Sequence, residues 1–132
     1  MKKKKMLLVV DIGNTKAHFG LFRGKRMVKD FKIPSRILKT QTLISAALAQ
    51  KLSSVSPEFE AAVICSVVPV LNSKMKQALK DVGIERRLIV GKDIKAPIKS
   101  KYNPRQIGQD RLMDAVAALN LYPAPIIVID IG

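Results

Sequence analysis

Asp11, Gly13, Asn14 and Thr15 fall within five residues, directly after the apolar run Leu7-Leu8-Val9-Val10, and Lys16 follows them. A carboxylate, a flexible turn, an amide and a hydroxyl at the end of a buried strand can hold magnesium at Asp11, directly or through water. Asn14, Thr15 and backbone N–H groups can then take phosphate oxygens. The same residue types also make an ordinary solvated hairpin turn. The pattern returns at Ile126-Ile127-Val128-Ile129-Asp130-Ile131-Gly132, where Asp130 can ligate a cation or cap a turn. A third carboxylate, Asp110, stands in Gly108-Gln109-Asp110-Arg111, where a loop meets a helix. Asp110 can act there as a general base on a substrate hydroxyl, with Arg111 clamping a carboxylate or phosphate. The pair equally fits an acidic helix-capping residue beside a surface arginine.

The elements that must position these residues follow from periodicity. Met6 to Asp11 reads as a buried strand, Ala17 to Arg23 as a second after the Gly13-Asn14-Thr15 turn, and Met27 to Ile33 as a third after Gly24-Lys25. Three short strands joined by tight turns make an antiparallel meander, which argues against a dinucleotide-binding or P-loop start. Leu38, Leu43, Ile44, Ala47, Leu48 and Leu52 recur at helical spacing, Ala61 to Val67 is a buried strand, and Val70 to Val82 is a helix ended by Gly83. Arg87 to Val90 is a short strand. Residues 91–107 form an irregular loop of a length that usually serves function, Gln109 to Leu121 is a helix, and Ile126 to Ile131 is expected to be the final strand.

The chain has 132 residues, 48% of them hydrophobic, enough for one ordinary core. Its 24 Lys and Arg against 10 Asp and Glu give a net charge of +14, which attracts phosphates and anionic surfaces without specificity. Aromatics are only 5% and Trp is absent, so bases would find few stacking partners and specific nucleic-acid recognition is not expected. The apolar run after Lys2 to Lys5 reaches five residues before Asp11, short of a secretory core, and no stretch approaches a membrane span. A soluble, cytoplasmic protein is expected, with no membrane partner. Cys65 lies alone in the apolar run 61–68 and reads as a buried small hydrophobe. His18, with no second His or Cys partner, reads as a packing or surface residue rather than a metal ligand.

Together these pieces resemble the amino-terminal half of a type III pantothenate kinase, a family of the actin-like kinase superfamily. The resemblance rests on Val10 to Thr15, Cys65 to Pro69, Val90-Gly91, Asn103 to Arg111 with Ala115 to Ala118 after it, and Val128 to Gly132, all in the family's order and spacing. It implies an α/β, ribonuclease-H-like (actin-like ATPase) domain over residues 1–108. Residues 109–132 would be a connecting helix and the first strand of a truncated second domain.

It also implies ATP-dependent phosphorylation of pantothenate to 4'-phosphopantothenate, the first step of coenzyme A biosynthesis, with magnesium and potassium or ammonium as cations and ATP as cosubstrate. Carried over by position, Asp11, Ile12, Gly13, Asn14, Thr15, Lys16, Ala17 and His18 bind ATP. Tyr102, Gly108, Gln109, Asp110 and Arg111 bind pantothenate, Asp110 is the catalytic base, and Asp130 is the potassium ligand. The intact family enzyme is expected to be a homodimer.

Two positions depart from the family pattern. Lys101 stands where a tyrosine is usual, with Tyr102 next to it, and Thr40-Gln41-Thr42-Leu43 replaces an acidic stretch. Without the threonine-rich continuation of the second phosphate loop, the chain is expected to be inactive alone. The alternative is a noncatalytic basic module that binds nucleic acid or protein as a transcription accessory.

Overall fold

A computed structural model of the chain describes residues 5–55, 58–103 and 106–131. The first three strands, β1 (Met6–Ile12), β2 (Lys16–Arg23) and β3 (Arg26–Pro34), form the antiparallel meander. Two more, β4 (Phe59–Ser66) and β5 (Arg87–Ile89), join parallel on the far side of β1, giving the order β3-β2-β1-β4-β5. Parallel neighbours need a crossover. Helix α1 (Gln41–Leu52) makes the one from β3 to β4, and α2 (Asn72–Asp81) the one from β4 to β5. The third helix, α3 (Gln109–Leu121), lies against β4. This is the mixed α/β, actin-like and ribonuclease-H-like architecture that the family resemblance implied.

Alternation along β1 divides the molecule into layers. Met6, Leu8, Val10 and Ile12 are buried and pack with Ile44 and Leu48 of α1 and with Met75 and Leu79 of α2. At roughly 1.5–3 kcal/mol for each large apolar side chain fully removed from water, this layer dominates the fold's stability. The intervening residues of β1, ending in Asp11, belong to the opposite face, where α3 contributes its buried residue, Leu112. The stacked rings of Phe19 and Phe31, 4.9 Å apart, tie β2 to β3 on the core side. Thr40 caps α1 by accepting a hydrogen bond from the Leu43 N–H at 3.2 Å.

Some expectations need correction. The strand expected over Ile126 to Ile131 does not form: residues 126–131 join no ladder, and Ile127, Ile129 and Ile131 are 89%, 78% and 88% exposed. An apolar run becomes a strand only where a neighbour takes its N–H and C=O groups, and neither edge of this sheet, β3 or β5, pairs with it. The helix expected from Val70 begins as a 3-10 turn, Pro69–Leu71, and turns α-helical at Asn72. Leu38 is buried ahead of α1 rather than in it, and Leu43, expected on the apolar face, is exposed.

Candidate active site

The register of the sheet fixes the site. Asp11 is the last outward-facing residue of β1, level with Cys65 on β4 and with His18 on β2. Beyond it the chain turns at Gly13, whose N–H donates to the Lys16 carbonyl at 3.0 Å. The parallel β1–β4 pair ends here, at the carboxyl edge where open α/β sheets leave a crevice for ligands.

Two cavities meet at Asp11. The first, about 280 Å³, lies between the outer sheet face and α3 and is lined by Val9, Val63, Cys65, Met113 and four carboxylates, Asp11, Asp110, Asp114 and Asp130. The second, about 530 Å³, is lined by Asp11, Gly13, Asn14, Thr15, Lys16, His18 and Lys32, with Ile131 at its border. Carboxylates crowd one chamber and cations the other.

Burial and crowding together favour the protonated form of two of these acids. Burial, followed by the charges of Asp110 and Asp114, holds the Asp11 carboxyl above its ordinary range. Burial and the charges of Asp130 and Asp110 do the same to Asp114. Burial, reinforced by Asp11, Asp110 and Asp114, pushes the Cys65 thiol up to about 12, so it is a packed hydrophobe and not a nucleophile. A hard cation would relieve this repulsion, and carboxylate oxygens are donors that magnesium and monovalent cations prefer, but among the described residues no three acidic, His or Cys side chains are grouped closely enough to hold an ion by themselves.

At the start of α3 the N-cap is Gly108, with no side-chain cap, and Asp110 sits in the first turn. The Asp110 carboxylate accepts from the Arg111 N–H at 2.9 Å and folds back against Gly108. A Cβ at residue 108 would overlap that carboxylate oxygen, so the glycine leaves room for the acid. Gln109 packs its side chain over Gly91, which has φ +90, and this contact pins the first residue of α3 to the turn after β5.

The remaining candidates are placed differently. Tyr102 is 70% exposed, and Tyr102, Gly108, Gln109 and Arg111 line neither cavity; Arg111 is exposed as well. His18 Nε2 stands 2.8 Å from Asp30 Oδ2, a partly exposed surface pair. Two charged residues of these walls, Asp114 and Lys32, escaped the sequence reading, as did Asp30, the partner of His18. Asp114 carried a signal, since it follows Asp110 by one helical turn, while Lys32 and Asp30 looked like ordinary solvated strand charges.

Against known proteins, the sequence profile of the type III pantothenate kinases matches residues 7–132. The chain belongs to the type III pantothenate kinase family. It is similar to the type III pantothenate kinase of Brevibacillus brevis, 36% identical over 131 residues that make up 96% of this chain and 51% of that one. It is also similar to that of Finegoldia magna, 39% identical over 132 residues, 96% of this chain and 50% of that one. The chain thus spans about half the length of the curated pantothenate kinases it matches. A chain of a solved PilM-PilN type IV pilus biogenesis complex aligns with TM-score 0.51 and 10% identity, covering 83% of this chain and 41% of that one, a likeness of fold. Among the described residues no helix is long and apolar enough to cross a membrane.

Proposed function

We propose that this chain carries the phosphate loop and the catalytic carboxylate of an ATP-dependent kinase that phosphorylates pantothenate at the entry to coenzyme A biosynthesis. One observation carries the reading: Asp11, at the end of β1, and Asp110, at the start of α3, line the same cavity although they are far apart in sequence. Phosphoryl transfer asks a protein mainly for positioning and charge neutralisation, and a carboxylate for the cation beside a carboxylate for the proton supplies both.

In this reading the Gly13–Lys16 turn receives the phosphates of ATP, and Asp110 accepts the proton of the pantothenate hydroxyl as its oxygen attacks the terminal phosphorus. Asp11 would hold magnesium, directly or through water, and Asp130 potassium or ammonium; bound there, the cations neutralise phosphate charge. Gly108 leaves room for the Asp110 carboxylate, and Arg111, Gln109 and Tyr102 go to pantothenate by their place in the family's pattern. A homodimer and a cytoplasmic location go with this reading. So does a domain boundary near residue 108, with α3 leading into a second domain.

The test is ATP-dependent pantothenate phosphorylation with magnesium and potassium, on the chain alone and on the chain mixed with the separately expressed carboxyl-terminal half of the Brevibacillus brevis relative. Turnover is expected only in the mixture, because the matched relatives are about twice as long. Asp110→Asn should lower it by about 10²–10⁴-fold, the usual contribution of a positioned general base. Unchanged turnover in that variant removes Asp110 as the base, and absence of phosphorylation in the mixture removes the kinase reading.

A further inference from the structure

Lys32 lies on β3 opposite His18 of β2, and its neighbours Phe31 and Ile33 are buried in the core, so the strand's alternation turns Lys32 to the outer face. There it lines the 530 Å³ cavity together with Lys16 and the Gly13–Lys16 turn. Among the described residues neither Lys16 nor Lys32 has an ion-pair partner. The acid nearest in register, Asp30, is engaged with His18 across the ladder, diagonally, past Gly20, which has no side chain to intervene. That pairing occupies Nε2 of His18 and leaves Nδ1 for a ligand. Two cations without acidic partners, diagonal neighbours on one sheet face in the wall of one cavity and beside a glycine turn, match an extended polyanion better than a single carboxylate or phosphate.

We propose that Lys32 is a second cationic contact for the phosphate chain of the nucleotide, next to Lys16 in the cavity wall, and that Asp30 is a positioning residue that holds His18 beside it. The phosphate site then extends beyond the β1–β2 turn onto the sheet's edge strand. The inference rests on the nucleotide reading of that turn and adds residues that neither the turn nor its sequence pattern includes. Lysines on edge strands also guard against unwanted strand pairing, as an alternative use of the same residue. That use predicts association of copies, and no anion dependence, when the charge is removed.

His18 is the one histidine in the sequence, so its ring gives a single reporter beside the site. The full chain, labelled with ¹⁵N-histidine, is titrated with sodium tripolyphosphate and with MgATP at constant ionic strength, while calorimetry gives affinities. Tripolyphosphate is expected to move the His18 ring signals. Lys32→Ala should weaken its binding by about tenfold, the loss of one charge-assisted contact, and Lys32→Arg should largely retain it. Lys80→Ala, an exposed charge on α2 at the other sheet face, serves as control for attraction to the basic chain as a whole and should change affinity by less than about twofold. Equal losses from Lys32→Ala and Lys80→Ala, or an unmoved His18 ring, overturn the proposal. MgATP binding indifferent to Lys32 would remove the contact and keep the nucleotide reading. Tripolyphosphate binding that depends on Lys32 in a chain that ignores MgATP would keep the contact and remove the nucleotide.

Discussion

Replacing Gly91 with alanine isolates the contact that fixes the start of α3. Gly91 has φ +90, where an L residue is strained, and an added Cβ would stand 2.9 Å from Cδ and 3.0 Å from Nε2 of Gln109. Gly83, at φ +93, carries the same backbone strain with nothing within 4 Å of its Cβ, so Gly83→Ala measures the strain alone. Left-handed backbone costs an L residue roughly 1–2 kcal/mol, and loss of glycine's freedom in the unfolded chain returns about 0.4–1 kcal/mol. Gly83→Ala should therefore destabilise by about 0.5–1.5 kcal/mol. Gly91→Ala adds the displacement of the Gln109 side chain from its rotamer, about 0.5–1.5 kcal/mol, for a total near 1–3 kcal/mol.

With an unfolding entropy of roughly 0.28 kcal/mol/K for a chain of this length, these correspond to losses in Tm of about 2–5 °C and about 4–10 °C. Thermal unfolding followed by circular dichroism at pH 7 reads both. Adding Gln109→Ala to Gly91→Ala should bring the second value back towards the first. Gly91→Ala melting at or above Gly83→Ala, or a double variant no better than the single, would refute the idea that Gln109 is pinned on Gly91.

Further outcomes follow from the charges around the sheet. Cys65 should resist alkylation by iodoacetamide at pH 8 in the folded chain and react fully in denaturant, since burial and the neighbouring acids push its thiol up to about 12; rapid modification of the native chain would contradict that burial. Asp93 accepts from the Ile89 N–H at 2.8 Å and pairs with Lys76 at 3.1 Å, and these hold its carboxyl below the ordinary value of 3.8. Its unfolded form binds the proton more tightly, so the stabilisation is present above about pH 3.8 and is lost as pH falls through the lowered folded value. Melting curves from pH 5 down to pH 2 should show a shallower acid loss for Asp93→Asn than for the native chain, and parallel curves would rule the linkage out.

The core and the crossovers were legible in the sequence because their signals are local. The alternation of β1 and the apolar spacing of Leu112, Ala115, Val116 and Leu119 fixed a strand and a helix, and α3 runs over Gln109–Leu121 as its periodicity indicated. Residues 126–131 carry an equally strong strand pattern and form none, because pairing is a property of neighbours and not of the run itself. At the candidate site the sequence exposed Asp11 and Asp110 through their glycine-bearing turns. Asp114, Asp30 and Lys32 lacked such marks, and only the helical turn of α3 and the register of β2 against β3 show which cavity or partner each meets.

The uncovered run Ile126 to Ile131 has a consequence for how copies of the chain behave in solution. It offers a short, apolar, unpaired backbone of the kind that templates cross-strand stacking between molecules. At low ionic strength the mutual repulsion of chains carrying +14 keeps these segments apart. Added salt shortens the reach of that repulsion to about 10 Å at 0.1 M and leaves the apolar attraction intact, so colloidal stability should fall as salt rises. A polyanion that neutralises Lys16 and Lys32 removes part of the same barrier, which ties ligand occupancy to solubility.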